Sequence, residues 1–550
     1  MYELGEMDTY IKPFFNFLWD DPKLVADILK HCDIKDIKGN LANLFINNFY
    51  KNILSNNYVE NNLMFVLTSL IKDEIDNLNN IDECDNFMLD ESKVGYFMNE
   101  LRKNGDIKCF FKTSILNIIF DIESMSNLNL NLDSQEIINN LKGSTEKDYK
   151  SNLVYLESII HNYISVQEKT EFSHSLFTNK NWKEIIKQKN YEKFNSKYMK
   201  VLTLSELEKI KMSLGANNPE MNDYLDNIIK NADNDNYYST SQLMGRFQKN
   251  NIFSSKLIVL YMNKFFIIKN VLDKFISSLV QNLNVLPYYV KCICKIIATL
   301  IQKKFSVISS VQKRIFISKF FYKKLIMPIL INPEIELLIN NFIISGFTLP
   351  NLKIINLILN KLFSFKLFIN NNYSINNNIY TPFNWYILDK MQEIFEIFNK
   401  LTDIELPPFI NDFINDKLDP NFSYDYFSLN KDESIMHQTI CFTNQDINSI
   451  LDGFSKLKEK VDINIYKNGN KVLKAYENII YAKKRNNENS IETFVIFNEY
   501  DNGYESNKKE LFEYNYENFR GPILYNKSLK KFLNLITLSV LLFSDFVTFI

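Results

Sequence analysis

The stretch VQKRIFISKFFYKKLIMPILINPE, residues Val311 to Glu334, decides how the rest of the chain is read. Ile315, Phe316, Ile317, Phe320, Phe321, Leu325, Ile326 and Met327 leave almost no polar face, so a helix here must be enclosed on nearly all sides. Its polar atoms are nearly all lysine. Lys319 and Lys323 fall one α-helical turn apart, with Lys324 beside them, and this predicts a basic strip facing water or an anion. A core helix whose lysines snorkel to solvent gives the same pattern. Pro328 removes a backbone donor and is expected to end or kink the helix, while Pro333 keeps the chain extended beyond it.

Working outward, 550 residues contain only 12 Gly and 12 Pro, which predicts long helices joined by short polar loops and two or three domains. Lys and Arg number 63 against 65 Asp and Glu, a net charge of -2, so nucleic acid is excluded as a partner recognised by bulk charge. Six scattered cysteines read as reduced thiols, and four histidines without H-x-x-x-H or H-E-x-x-H spacing supply neither a metal site nor a histidine-based catalyst. No cofactor motif is present: G-x-x-x-x-G-K-[ST], G-x-G-x-x-G and G-x-S-x-G are all missing. The opening MYELGEMDTY has no apolar signal region. Phe532 to Ile550 carries one charge in 19 residues and could just span a bilayer, but its Asn, Thr, Ser and Asp favour a buried terminal helix.

In chain order, Pro13 opens PFFNFLWDD, and Asp21 caps a second helix, PKLVADILKHC, with Pro22 at its first position. A third helix runs through NLMFVLTSLIKDEIDNL, where Leu63, Val66, Leu67, Leu70 and Ile71 form one stripe. Phe87 to Gly105 and Asp106 to Glu123 give two more elements around a Lys103-Asn104-Gly105-Asp106 turn. The segment Gly215 to Asn251 is rich in Asn, Asp, Ser and Tyr and reads as a solvated insertion. Regular helices resume at Ile252 and continue to Leu401, broken by a polar loop over Asn370 to Asn378. His437 to Leu457 is helical at its end, and SIETFVIFNEY, residues 490 to 500, alternates as a short strand does.

Taken in order, these segments resemble the RasGAP fold, and more closely the GAP-related domain of the IQGAP family. FFNFLWDDPKLVADILKH resembles the helix pair that opens that domain, and ENNLMFVLTSLIKDEI its L-L-x-x-L-x-x-x-L-x-x-E-I helix. VLDKFISSLVQNLNVLPYYVKCICKIIATLIQKKF is similar to the segment carrying D-K-F and then I-P-Y-x-x-R-x-I. KFFYKKLIMPILINPE matches the central L-Y-Y-R-Y-M-N-P-A-I-V-x-P-[DE] block, and NLKIINLILNKLFSFKLF the helix after it. HQTICFTNQDINSILDGF is similar to a segment further downstream. The resemblance implies an all-α, RasGAP-like helical domain over residues 10–455 with an insertion at about 165–250. A C-terminal extension, 456–550, is expected to include short strands.

It also implies a small-GTPase partner of the Ras or Rho family in its GTP-bound state, no cofactor, a role in signalling or cytoskeletal scaffolding, and a cytoplasmic protein recruited to membrane or cell cortex. Membrane contact is expected only through 532–550. In active members a loop arginine neutralises charge on the transferred γ-phosphate and contributes about 10³ to 10⁵ in rate. The matching block here is Phe87-Met88-Leu89-Asp90-Glu91-Ser92, with Leu89 at the finger position. Leucine cannot donate to phosphate, and Asp90 and Glu91 would repel it. A second family arginine, which braces the finger loop, corresponds to Lys324, a point charge without the planar fork. A family Asn falls at Met327, and a family Lys and Gln fall at Leu357 and Asn360. The expected GTPase groove is therefore Leu89, Ser92, Lys319, Lys323, Lys324, Met327, Leu357 and Asn360, with no catalytic residue. The two other expectations are an active GTPase activator and a helical structural protein that binds no GTPase.

Overall fold

A computed structural model describes residues 11, 13–18, 21–49, 57–80, 91–133, 136–137, 198, 202, 204–214, 219–230, 254–337, 344, 346–368, 378–417, 439–466, 468–485 and 493–497. The chain divides into two compact units, Met1–Asn498 and Glu499–Ile550, and all described residues lie in the first. Leu89, the 370–378 loop except its last residue, and the 532–550 tail fall outside the described residues.

The architecture follows from amphipathic helices too long and too apolar to stand alone. Helix α1, Pro22–His31, starts where the sequence predicts: Leu24 donates its N–H to the Asp21 carboxylate at 3.0 Å, and Pro22 occupies the first helical position. It packs on α2, Asn57–Asp76. Helices α3, Lys93–Arg102, α4, Gly105–Ser114, and α5, Leu116–Glu123, follow closely, the second capped by Asn104. Two short helices come next, α6, Leu204–Leu214, and α7, Pro219–Lys230.

The second of these corrects the reading of Gly215 to Asn251 as wholly solvated. Met221, Tyr224, Leu225 and Ile228 fall at helical spacing and are buried, and the Tyr224 ring meets Phe365 and Phe395 at 5.9 and 6.4 Å. Four apolar residues on one face outweigh the polar average of the segment.

The centre is built from α8, Ser254–Asn282, α9, Tyr288–Lys304, and α10, Ser310–Ser318. A π-helical segment, Lys319–Ile326, and then α11, Met327–Ile331, continue α10 without a break, and α12, Pro333–Leu337, follows. Helices α13, Thr348–Phe363, α14, Phe383–Thr402, and α15, Pro408–Ile414, complete this layer. One hydrophobic core runs through all of them.

Buried asparagines fasten extended chain to helices. Asn351 accepts from Leu130 N–H and donates to Leu128 C=O, both at 2.8 Å, and Asn384 bonds both backbone groups of Phe368. A primary amide can satisfy a donor and an acceptor at once, which is what one unpaired residue of extended backbone requires.

Beyond Ile414 the chain returns as a two-stranded antiparallel sheet, β1, Thr439–Thr443, against β2, Thr493–Phe497, with Cys441 opposite Val495. The strand expected within 490 to 500 is present, while its partner occupies residues 439–443, inside the segment read from sequence as helical at its end. Between the strands lie α16, Asn444–Lys458, and α17, Gly469–Arg485. Helix α16 packs against α1, the Phe14 and Phe454 rings meet edge to face at 5.5 Å, and a Cβ at Gly453 would fall 2.5 Å from the Cys32 sulfur. Among the described residues no single helix is long and apolar enough to cross a membrane.

Candidate functional site

The stretch from Val311 to Ile331 is a single rod with a change of register inside it. Its start is fixed by a capping box: Gln312 donates its N–H to Ser309 Oγ at 3.2 Å, and Ser309 donates its N–H to Gln312 Oε1 at 3.3 Å. From Lys319 to Ile326 the rod is wound as a π-helix, ending with Met327 N–H donated to the Tyr322 carbonyl five residues back. The Tyr322 hydroxyl donates to Asn356 Oδ1 at 2.8 Å, and its ring stacks on Phe363 at 4.6 Å, so α13 locks the middle of the segment. Burial holds the Tyr322 phenol well above its usual pKa, so it stays a neutral donor.

Of the two outcomes expected for Pro328, an end to the helix does not occur; α11 carries it to Ile331. Pro328 has no N–H to donate back into the rod, just where its register changes. A donor from elsewhere in the chain reaches the same turn: Arg102 Nη1 donates to Lys324 O at 2.8 Å. The same guanidinium forks onto Glu336, Nε to Oε2 at 2.9 Å and Nη2 to Oε1 at 2.8 Å, and Nη1 also reaches Asn99 Oδ1 at 3.2 Å. Arg102 is 7% exposed. One buried side chain thus ties α3, the central rod and α12 together, using the planar donor geometry that lysine lacks.

Around this knot the sequence-derived positions separate into groups. Lys319 and Lys324 are both buried, at 5% and 6% exposure, while Lys323 is half-buried. The expected basic strip is thereby reduced to Lys323 at its surface. Ser92 caps α3 by accepting the Gly95 N–H at 2.9 Å. Met327 and Leu357 are partly buried against the core, and Asn360 Oδ1 accepts the Ser364 hydroxyl at 3.3 Å.

Ser92 and Lys324 are brought together through Glu74 on α2, which sequence reasoning did not single out. Val94 donates its N–H to Glu74 Oε1 at 2.9 Å, and the Ser92 hydroxyl also hydrogen-bonds this carboxyl. Burial raises the Glu74 pKa to about 7, against the opposing pull of these bonds and of the nearby Lys324 charge. The carboxyl thus fastens the start of α3 to α2. Arg102 was also missed. The signal for it was present, since a proline inside a continuing helix removes a backbone donor whose place something must take.

Compared with known families, the chain matches the RasGAP model, described as GTPase-activator protein for Ras-like GTPase, over residues 66–345. That span takes in the second half of α2, the knot at Arg102 and the whole central rod. No curated protein matches the chain.

Proposed function

The chain belongs to the RasGAP family, whose members regulate small GTPases, and from that premise we propose that it binds its GTPase as a finger-less regulator or scaffold and does not activate hydrolysis. The observation that carries this reading is the commitment of its arginines. Only five are present, and none lies in the block around Leu89. Two have described side chains. Arg102 is held by Glu336 and the Lys324 carbonyl, and Arg314 donates to Asn399 Oδ1 at 3.1 Å and lies over the Phe395 ring at 4.4 Å. Freeing either would break buried, charge-assisted bonds. The brace position is a buried lysine whose carbonyl is taken by Arg102, so the family's second arginine has no equivalent there.

On this reading the chain sits closest to the IQGAP-type GAP-related domains and meets a Ras- or Rho-family GTPase in its GTP-bound state. The groove combines the loop at Leu89 and Ser92, the rod at Lys319, Lys323, Lys324 and Met327, and α13 at Leu357 and Asn360. Lys323, Met327, Leu357 and Asn360 supply the accessible contacts; Lys319 and Lys324 set the local potential from beneath. Apolar packing carries the affinity, and the lysine charge favours the acidic switch surface of the partner.

Single-turnover GTP hydrolysis with a panel of Ras and Rho proteins, run beside pull-downs with GTP- and GDP-loaded forms, tests it. GTP-selective capture without faster hydrolysis is the expected result. Acceleration of tenfold or more that disappears in Lys324→Met would establish an active GTPase activator instead, and capture of none of the panel would remove the binding role.

A further inference from the structure

A sizeable cavity lies away from the groove just outlined. Its volume is about 460 Å³, within the range of small-molecule sites, and it opens between the C-terminal half of α9, the start of α10 and the end of α14. Four cationic side chains line it: Lys295 and Lys303 from α9, and Lys313 and Arg314 from α10. No Asp or Glu is among its lining residues.

Structural roles account for part of this charge. Lys303, in the last turn of α9, complements that helix dipole, donates to the Ile414 carbonyl at 2.7 Å and pairs with Asp416, which it shares with Lys72. Asp223 approaches the mouth, accepting the Ser310 hydroxyl at 3.4 Å. The other cations are not explained this way. Lys313 and Arg314 sit near the N-terminal end of α10, where the helix dipole favours anions, and the first turn of α10 holds no acidic residue. Lys313 reaches only the Gln302 amide oxygen, at 3.4 Å, and among the described residues no carboxylate pairs with Lys313 or Lys295. Arg314 is 4% exposed and is fixed in place by Asn399 and Phe395, so it forms a rigid wall and not a mobile surface charge.

We propose that this cavity binds a small anion carrying two or more phosphate groups. Like charges converging from two helices repel one another, and a dianionic or polyanionic ligand removes that repulsion. Arg314 adds a fixed positive charge to the wall, the half-buried lysines add point charges that can reach an anion, and Thr299 and Asn399 line the same wall. Such a ligand would be either free in solution or the headgroup of a phosphorylated lipid. Arg314 is ten residues upstream of Lys324, roughly 15 Å along a helix, so the site is separate from the GTPase groove and its occupancy does not depend on that reading.

Isothermal titration of the full chain with inositol hexakisphosphate, and with pyrophosphate as a smaller probe, should show saturable binding that weakens tenfold or more between 50 and 200 mM salt, a range typical of phosphate contacts (~10-fold or greater loss). Lys313→Gln and Lys295→Gln, at half-buried positions, should each lower the affinity about tenfold with the melting temperature of the unliganded protein unchanged, as roughly 1.4 kcal/mol per tenfold implies for one lost charged contact. Co-sedimentation with phosphatidylcholine vesicles, with and without a phosphatidylinositol bisphosphate, identifies the source: recovery with the phosphorylated vesicles assigns a lipid headgroup, and binding of the soluble probes alone assigns a free phosphate ester. Absence of saturable binding to both soluble probes and to the vesicles would overturn the proposal. Binding that Lys313→Gln and Lys295→Gln leave unchanged would overturn it equally, because the anion would then be held elsewhere.

Discussion

Replacing Arg102 by alanine removes the knot at the centre of the molecule, and the cost can be worked from its bonds. Two of the four go to Glu336, whose side chain is 13% exposed against 8% for the arginine, so the carboxylate would be left largely buried without its partner. Breaking one side of a buried pair costs about 3–5 kcal/mol. The Lys324 carbonyl would lose the guanidinium donor, a further ~1–3 kcal/mol for a bond to a buried acceptor. Local relaxation makes these less than additive, and the expected loss is about 4 kcal/mol. The Arg102→Met, Glu336→Leu double variant removes the uncompensated charge while leaving the carbonyl without that donor, so it should recover all but ~1–2 kcal/mol of the loss. Urea unfolding followed by circular dichroism, with Arg102→Met, Glu336→Leu and the double variant in one cycle beside Arg102→Ala, provides the measurement. If the double variant is as unstable as the sum of the two singles, the ion pair does not couple α3 to α12 and the reasoning fails.

Two further outcomes concern the ends of the same assembly. The Glu74 pKa rises to about 7 in the folded protein from an ordinary value near 4.5, so the stability associated with its neutral form is complete below pH 4.5 and is lost as the pH climbs through 7. The stability of the wild type relative to Glu74→Gln should therefore fall by about 3 kcal/mol across that window, and a difference that stays flat with pH would show that the carboxyl is not buried as described. Gly346 adopts φ +52°, and a Cβ there would lie 2.3 Å from the Ser126 carbonyl oxygen, which also accepts the Phe347 N–H at 2.7 Å. Gly346→Ala should cost ~2 kcal/mol or more in thermal unfolding, since a left-handed conformation and a backbone clash coincide; a neutral substitution would mean this approach of α13 to the end of α5 is not maintained.

The apolar frame was legible because it is local. Asp21 with Pro22, the stripe from Leu63 to Ile71 and the capping residue Asn104 announce their helices within a few residues, and the structure places helices there. Features decided by distant contacts were not legible in the same way. The π-helical register of Lys319–Ile326 leaves no mark in a segment apolar on nearly every side, because periodicity is visible only where one face is polar. Strand β1 draws its definition from β2, more than fifty residues later, and TICFT alone runs smoothly into the helix that follows it. The burial of Lys319 and Lys324 depends on α3 and α13 closing over the rod, and a count of lysines along one helix cannot foresee that.

The bond from Arg102 to the Lys324 carbonyl spans 222 residues of sequence, yet it lands within one turn of the proline in a single rod. The central rod consequently draws part of its hydrogen bonding from a helix outside it. A peptide cut out at Ser310 and Ile331 would fray at its proline, and in the growing chain the rod must wait for α3, made long before it, to dock. Amide protons on either side of Pro328 and those of α3 should then become accessible to solvent exchange together, as one cooperative unit whose integrity is set by a single arginine.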